Sequence, residues 1–589
     1  MQAISQGVSA ADREALVITG LDEFLFKRFF ETGHKIFFGL LLAIVIVWAP
    51  VGLLGKWMGK KRRERRELNV IRSPITVPSE SLTFPLRRAA LEYPEKVAVI
   101  EPEKGGKECS YRWLQEHSSI LAASLAARGV KPGDRIALWM KNSLEYILSF
   151  YGILKAGGIV VPVSTHYGER EVLHQIRVTE AVGMIAADNL YAQWEKLSSG
   201  LQGLQFIAVE GQGDIPAGTI PFSSLLKGSD CLDRSIGTNP YETIAVLPFS
   251  SGTTGLPKGV MLTHYNLLSD LYQVVQVHEI SNTDMMINQL PFFHIYGMTV
   301  LMGTSILAGA TQIIASQFRP VDEFLSLFET YQPTLFFTVP LILQEFCRHP
   351  KVPTMDWSRL RYINTGAALL SREIQERFTQ ITGVLVMQGY GLTESSPTTH
   401  ANPARKIKVG SIGLPLSLTE DRIVNPETGV ELRPQEIGEL WVRGPQVMKG
   451  YFNNPEATAE VLVDGWLRTG DLAWKDEEGY VFIVDRLKEV IKCKGCQVPP
   501  AEIENILMSH PDIQDAAVIG EPHPEYGEVP IAYVVLRDKA TLSSDAIIEY
   551  AAQGLAKYKR LAKVVFTETI PHSPSGKILR RALKDSRSA

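Results

Sequence analysis

Leu247-Pro-Phe-Ser-Ser-Gly-Thr-Thr-Gly-Leu-Pro-Lys-Gly259 crowds three glycines, four hydroxyls and one lysine into one short stretch. An apolar run, Ile244-Ala-Val-Leu247, leads into it. Glycine lets a backbone approach a ligand closely. Gly252 and Gly255 would therefore offer N–H groups to an anion, beside the hydroxyls of Ser250, Ser251, Thr253 and Thr254 and the ammonium of Lys258. The stretch is not a Walker A loop. That pattern sets its lysine before Ser or Thr at the head of a helix, whereas Pro257 precedes Lys258 and Gly259 follows it. Taken alone, such a segment reads equally well as a plain surface connection. Its meaning rests on what stands downstream.

Gln388-Gly-Tyr-Gly-Leu-Thr-Glu-Ser395 comes next, then Thr469-Gly-Asp471, Val484-Asp-Arg486 and Lys492-Cys-Lys-Gly-Cys-Gln497. Pro574-Ser-Gly-Lys-Ile578, followed by Arg580, closes the series. In this order, over residues 80 to 589, the motifs resemble those of the adenylate-forming superfamily. That superfamily comprises acyl-CoA synthetases, coumarate-CoA ligases, firefly luciferase and the adenylation domains of peptide synthetases.

The resemblance implies ATP, Mg²⁺ and CoA as cofactors and assigns roles to residues. Ser250, Ser251, Gly252, Thr253, Thr254, Gly255 and Lys258 would hold the phosphates. Glu394 would help bind Mg²⁺ and Thr393 would contact phosphate. Gly389, Tyr390 and Gly391 would line the adenine pocket, with Gly366, Ala367 and Ala368 on another wall. Asp471 would accept hydrogen bonds from the ribose hydroxyls, which suits an acceptor-only carboxylate. Arg486 would contact ribose or phosphate. Lys577 would bridge the substrate carboxylate and the α-phosphate, two anions that must meet in line. Singly, each of these charged residues reads as a solvated side chain or a surface ion pair.

Pro291-Phe-Phe-His-Ile-Tyr-Gly-Met-Thr299 resembles the acyl-site motif, which puts His294 between nucleotide and acyl pockets and Tyr296 and Gly297 in the acyl pocket. Amino-acid-activating relatives carry an aspartate here to pair with the substrate ammonium. None stands between Pro291 and Gly303, so an acid without an α-amino group is favoured. The apolar neighbours Phe292, Phe293, Ile295, Met298 and Val300 suit an aliphatic or aromatic tail, and some of them also suit core packing.

By the same resemblance Lys488 is a hinge about which a small C-terminal domain rotates between two half-reactions. Rotation withdraws Lys577 and brings Lys492, Lys494, Gly495 and Gln497 toward the incoming thiol. Cys493 and Cys496 stand where many relatives carry aromatic residues. Their CxxC spacing lacks the second pair that a zinc site needs.

The remaining sequence bounds the setting. A chain of 589 residues exceeds one core, and 45% hydrophobic with 21% charged residues is globular composition. A net charge of -4 argues against a nucleic-acid binder. Five cysteines make no disulfide framework, which fits a reducing compartment. From Ile36 to Gly55 there is no charged residue, and as a helix this run would span about 30 Å, a bilayer core. Lys56, Lys60, Lys61, Arg62, Arg63, Arg65 and Arg66 follow at once. The flank predicts an uncleaved single-pass anchor with the catalytic domains on the cytoplasmic side; a buried core helix is the other reading of such a run. The basic residues also suit anionic lipid.

The expected organisation is an N-terminal segment (1–35), a transmembrane helix (36–55), a basic juxtamembrane segment and linker (56–80), a large layered α/β body (81–486) and a small mobile α+β domain (487–589). The sequence reads as an AMP-forming ligase that activates a long-chain fatty acid and transfers it to CoA. Its His294-Ile-Tyr-Gly-Met-Thr299, Glu394-Ser-Ser-Pro397 and Thr399-His-Ala-Asn402 look most like bacterial long-chain fatty-acid ligases. Transfer to a carrier protein and a coumarate-type substrate are the alternatives. An inactive membrane-tethered scaffold is disfavoured by the intact Lys258, Glu394, Asp471, Arg486 and Lys577.

Overall fold

Leu335-Phe-Phe-Thr338 is buried at every position, the pattern of a strand covered on both faces by helices. It lies at the centre of a sheet in which Leu385–Gly391, Tyr362–Thr365, Leu335–Thr338, Met285–Asn288, Thr311–Ile314 and Val97–Glu101 run parallel, side by side. Antiparallel strands close both edges. A second sheet sets Ile244–Val246, Ile159–Pro162, Arg135–Trp139, Gly183–Ala187 and Phe206–Glu210 parallel. Lys258–Thr263 and Gly450–Tyr451 extend it antiparallel.

In this computed structural model the described residues run from 75 to 585, except 188–200, 202, 212–217, 251–256, 317, 319, 405, 495, 539, 554 and 573–577. They belong to one unit, Val70–Ala589. Among them no helix is long and apolar enough to cross a membrane. The apolar run 36–55 lies outside the described residues.

Helix starts follow the local chemistry. Ser110 accepts the Trp113 N–H to open Tyr111–Ala127, and Ser143 accepts the Tyr146 N–H to open Leu144–Lys155. Thr263 and Asn266 form a capping box ahead of His264–His278. Each cap satisfies an N–H that the first helical turn leaves unpaired. Val77 packs into the large core, so the body gathers residues ahead of Ser81.

A third, antiparallel sheet of Glu420–Val424, Gly438–Arg443, Trp466–Lys475 and Val481–Arg486 carries the chain to the start of the small domain. There, Ile491–Cys493, Cys496–Val498, Ile513–His523 and Gly527–Leu536 pair antiparallel, and Lys563–Phe566 adds a parallel strand. The helices Pro500–Met508 and Ser544–Ala552 cover one face through Ile503, Leu507 and Ile547. Ile519, Ile531, Ile570 and Leu583 form a second apolar cluster. This domain has its own core.

Candidate active site

Open parallel sheets collect ligand loops at the carboxyl ends of their strands. The first sheet does this with adjacent strands. Gly366-Ala367-Ala368 follows Tyr362–Thr365, Gly389, Tyr390 and Gly391 end Leu385–Gly391, and His294 lies in the segment after Met285–Asn288. Ala367 holds φ 69°, a left-handed conformation that costs a residue with a side chain, and it and Ala368 are exposed. Gly391 is a forced choice. A Cβ there would come 2.1 Å from the Pro397 carbonyl oxygen. The close approach keeps Thr393 and Glu394 on a tight turn directly after the strand.

Asp471 and Arg486 sit directly opposite each other on paired strands of the third sheet. Arg486 Nε donates to Asp471 Oδ1 at 2.8 Å, and the neighbouring carboxylate raises the guanidinium's pKa further. The Tyr390 hydroxyl donates to Asp471 Oδ2. Burial, then Asp471 itself, pushes that phenol well above its ordinary value, so it remains a donor. A carboxylate offers about four acceptor positions, so each Asp471 oxygen retains one for a vicinal diol. The terminal nitrogens of Arg486 make no hydrogen bond among the described residues and are open to an anion. Tyr390 thus does more than line a pocket: it orients the carboxylate.

Paired strands flank the glycine-rich stretch. Phe249–Ser250 pairs with Lys258–Thr263, and Lys258 stands opposite Ser250. Lys258 therefore begins a strand, not a helix, as the departure from Walker A requires. Ser251, Gly252, Thr253, Thr254 and Gly255 lie outside the described residues. Lys258 Nζ lies 5.1 Å from the centre of the Tyr451 ring, a cation–π contact. The Tyr451 hydroxyl donates to Glu394 Oε1 at 2.9 Å. Burial and the Glu394 carboxylate raise the Tyr451 pKa, so this hydroxyl also stays protonated. Among the described residues Glu394 Oε2 carries no hydrogen bond. A half-buried carboxylate with one free oxygen fits Mg²⁺, which takes one or two carboxylates plus phosphate oxygens.

Sequence reasoning missed Tyr451. Its signal, Gly450-Tyr-Phe-Asn453, carries no charge and no glycine-rich pattern. Only its pairing opposite Val260 brings it to the lysine.

His294 is half-buried, and its loss of solvent pushes its pKa down to about 4. Its Nδ1 accepts the Tyr296 N–H at 3.2 Å, so the imidazole is neutral. Tyr296–Gly303 winds as a wide π-helix, entirely buried, a form that recurs at functional sites. Tyr296 donates to the Thr338 carbonyl at 3.3 Å, and its ring abuts Gly366. Gly297 permits this geometry, because a Cβ would stand 2.2 Å from the Pro291 carbonyl oxygen. Tyr296 and Gly366, far apart in sequence, are therefore neighbours.

In the small domain, Lys488 lies in a turn in which Glu489 and Val490 donate backbone bonds to the Arg486 carbonyl. Arg580 pairs with Glu489 and Glu504, tying this turn to the helix Pro500–Met508. Asp485 accepts the Ala501 N–H at the start of that helix. Lys492 and Lys494 are exposed, and Lys494 Nζ lies 4.0 Å over the Tyr526 ring. Gln497 stands opposite Lys492 in the hairpin. No hydrogen bond or ion pair among the described residues links Lys492 or Lys494 to Asp471, Glu394 or Lys258. Gly495 and Lys577 lie outside the described residues. The bridge between His572 and Ile578 brackets the segment that carries Lys577.

Comparison with known proteins agrees with this arrangement. The AMP-binding enzyme family matches residues 86–452, and the AMP-binding enzyme C-terminal domain matches residues 502–577. A long-chain-fatty-acid–CoA ligase of Bacillus subtilis (strain 168) is 35% identical over 546 residues, covering 87% of this chain and 96% of that protein. The 4-coumarate–CoA ligase 3 of Oryza sativa subsp. japonica is 36% identical over 492 residues, covering 81% and 87%. Among solved structures, ATP-bound MatB from Rhodopseudomonas palustris matches with TM-score 0.78 and 29% identity, over 86% of this chain and 99% of that one. The anthranilate CoA ligase AuaEII, bound to anthranoyl-AMP, matches with TM-score 0.81 and 26% identity, over 87% and 98%.

Proposed function

The chain belongs to the AMP-binding enzyme family of adenylate-forming acid–CoA ligases, which use ATP, Mg²⁺ and CoA, and on that premise we propose that its acid is a long-chain fatty acid. The observation that carries the choice of acid is the wholly buried, mostly apolar wide helix Tyr296–Gly303 beside a neutral His294. Neither offers a charge to a substrate tail, which suits an aliphatic chain. The uncharged run Ile36–Gly55 supports the same reading, since a membrane anchor would hold the enzyme where such acids dissolve. We place the catalytic domains on the cytoplasmic side from the basic flank after Gly55.

In this mechanism, Lys258 and the hydroxyls and N–H groups of the stretch from Ser250 to Gly255 hold the departing pyrophosphate. Asp471 takes the ribose hydroxyls on its remaining acceptor positions, and Arg486 faces the phosphates. Glu394, held by Tyr451, would carry Mg²⁺, which neutralises phosphate charge when bound. Lys577 draws the acid's carboxylate to the α-phosphate; the carboxylate oxygen attacks, and pyrophosphate leaves. His294, neutral, stays at the junction of nucleotide and acid without adding charge. The small domain then turns about Lys488, bringing Lys492, Lys494, Gly495 and Gln497 to the thiol; CoA sulfur attacks the acyl carbon and AMP leaves.

The test is kcat/KM for octanoate, laurate, oleate, coumarate and benzoate with CoA present. A maximum at laurate or oleate supports the proposal; a maximum at coumarate assigns the aryl reading instead. Removal of residues before Val70, which spares the buried Val77, should leave octanoate turnover near the full chain's while lowering turnover of vesicle-dissolved oleate. Equal oleate turnover by both forms would refute the anchor's role.

A further inference from the structure

Cys493 and Cys496 stand directly opposite each other where Ile491–Cys493 pairs with Cys496–Val498. Opposed residues of an antiparallel pair project to the same face, with Cα atoms about 4.5–5.5 Å apart. A disulfide spans about 4.4–6.8 Å between Cα atoms, so the hairpin backbone already has the span that a bond requires. The other cross-strand neighbour of Cys493 is Gly527, which has no side chain. Across the hairpin, Cys496 is therefore the residue with a side chain that stands opposite Cys493, which packs into the small domain's apolar core. Both thiols are free in the structure. Cys493 is 3% exposed and Cys496 is exposed, so a small oxidant reaches one thiol and not the other.

We propose that Cys493 and Cys496 are a peroxide-oxidisable thiol pair whose disulfide slows transfer of the acyl group to CoA and spares adenylation. The chemistry balances. The Cys496 thiolate attacks the peroxide, giving a sulfenic acid and releasing hydroxide. The Cys493 thiol then displaces the sulfenic oxygen as water and closes the S–S bond. A dithiol reductant reverses it. The consequence follows from position. Lys492 and Lys494 flank Cys493, and Lys494 holds φ 53°. The crosslink closes a covalent ring that includes Lys494 and draws exposed Cys496 toward the buried sulfur. This part rests on the reading of the segment as the one that meets the CoA thiol. Adenylation depends on Lys577, far along the chain, and on the large body.

The experiment treats the full chain with hydrogen peroxide and maps its cysteines by peptide mass without reductant. Adenylate formation and acyl transfer from preformed adenylate are then measured separately. A positional error of about 1 Å costs on the order of a hundredfold in rate, so acyl transfer should fall at least ~tenfold. Adenylation should stay within about twofold, and dithiothreitol should restore transfer. The variant Cys496→Ser should keep basal activity and lose the peroxide response. Over-oxidation of Cys496 without a Cys493–Cys496 bond would overturn the pairing, whatever acid the enzyme uses. A mapped bond that leaves both half-reactions unchanged, or lowers both alike, would overturn the functional claim.

Discussion

Replacing Tyr451 with phenylalanine removes one oxygen and leaves the ring under Lys258. The lost contact is the 2.9 Å hydrogen bond to Glu394 Oε1. A hydrogen bond to a charged group contributes about 1.5–3 kcal/mol. Tyr451 is buried but Glu394 is half-buried, and water can partly replace the hydroxyl, so the lower figure of about 1.5 kcal/mol applies. At about 1.36 kcal/mol per decade, kcat/KM for MgATP should fall roughly tenfold. The cation–π contact, worth about 0.5–1 kcal/mol, should persist because the ring stays. The assay is acid-dependent pyrophosphate release as MgATP is varied, with Tm measured alongside. If Tyr451 acts by holding Glu394, Tyr451→Phe should cost almost nothing in a Glu394→Gln background. A full tenfold loss in that background, or no loss in the wild-type background, would refute the reasoning.

Asp471→Asn keeps the shape but removes the charge that pairs with Arg486, a loss of about 2 kcal/mol that should raise KM for ATP roughly thirtyfold; Tyr390→Phe should cost less, because the ion pair survives. Gly297→Ala would drive a Cβ to within 2.2 Å of backbone, so it should lower Tm sharply, whereas alanine at exposed Gly429, a left-handed turn with open space, should cost far less. Burial pushes the pKa of His264 to about 4, of His278 to about 3 and of His294 to about 4, from an ordinary 6.5. With folded values depressed, the stability they contribute is present above 6.5 and is lost as pH falls toward 4, because the unfolded chain takes up protons first. His278→Gln should therefore flatten the fall in Tm between pH 6.5 and 4 relative to wild type; an unchanged slope would refute this.

The residues legible in the sequence were those whose chemistry announces itself locally. Lys258, Glu394, Asp471 and Arg486 sit in motifs whose order pointed to one family, and the structure brings Asp471 and Arg486 face to face. In helix Pro500–Met508, proline at the head and buried Ile503 and Leu507 on one side mark a start and a face that local chemistry carries. What escaped was long-range pairing. Tyr451 reaches Glu394 across 57 residues of chain, and Tyr390 reaches Asp471 across 81. A tyrosine gives no sign in sequence of which carboxylate it will meet. The wide turn of Tyr296–Gly303 was also hidden, since its apolar run fits an ordinary buried helix. Gly297 permits it, because only a residue without a side chain fits against the Pro291 carbonyl.

The most direct test of the account follows the acid's own oxygen. Oleate labelled with heavy oxygen in its carboxylate is supplied with MgATP and CoA, and the products are weighed by mass spectrometry. Attack on the α-phosphate predicts oleoyl-CoA formed together with AMP carrying one labelled oxygen. Oleoyl-CoA with unlabelled AMP would contradict the adenylate route, and labelled AMP from coumarate but not from oleate would contradict the fatty-acid assignment.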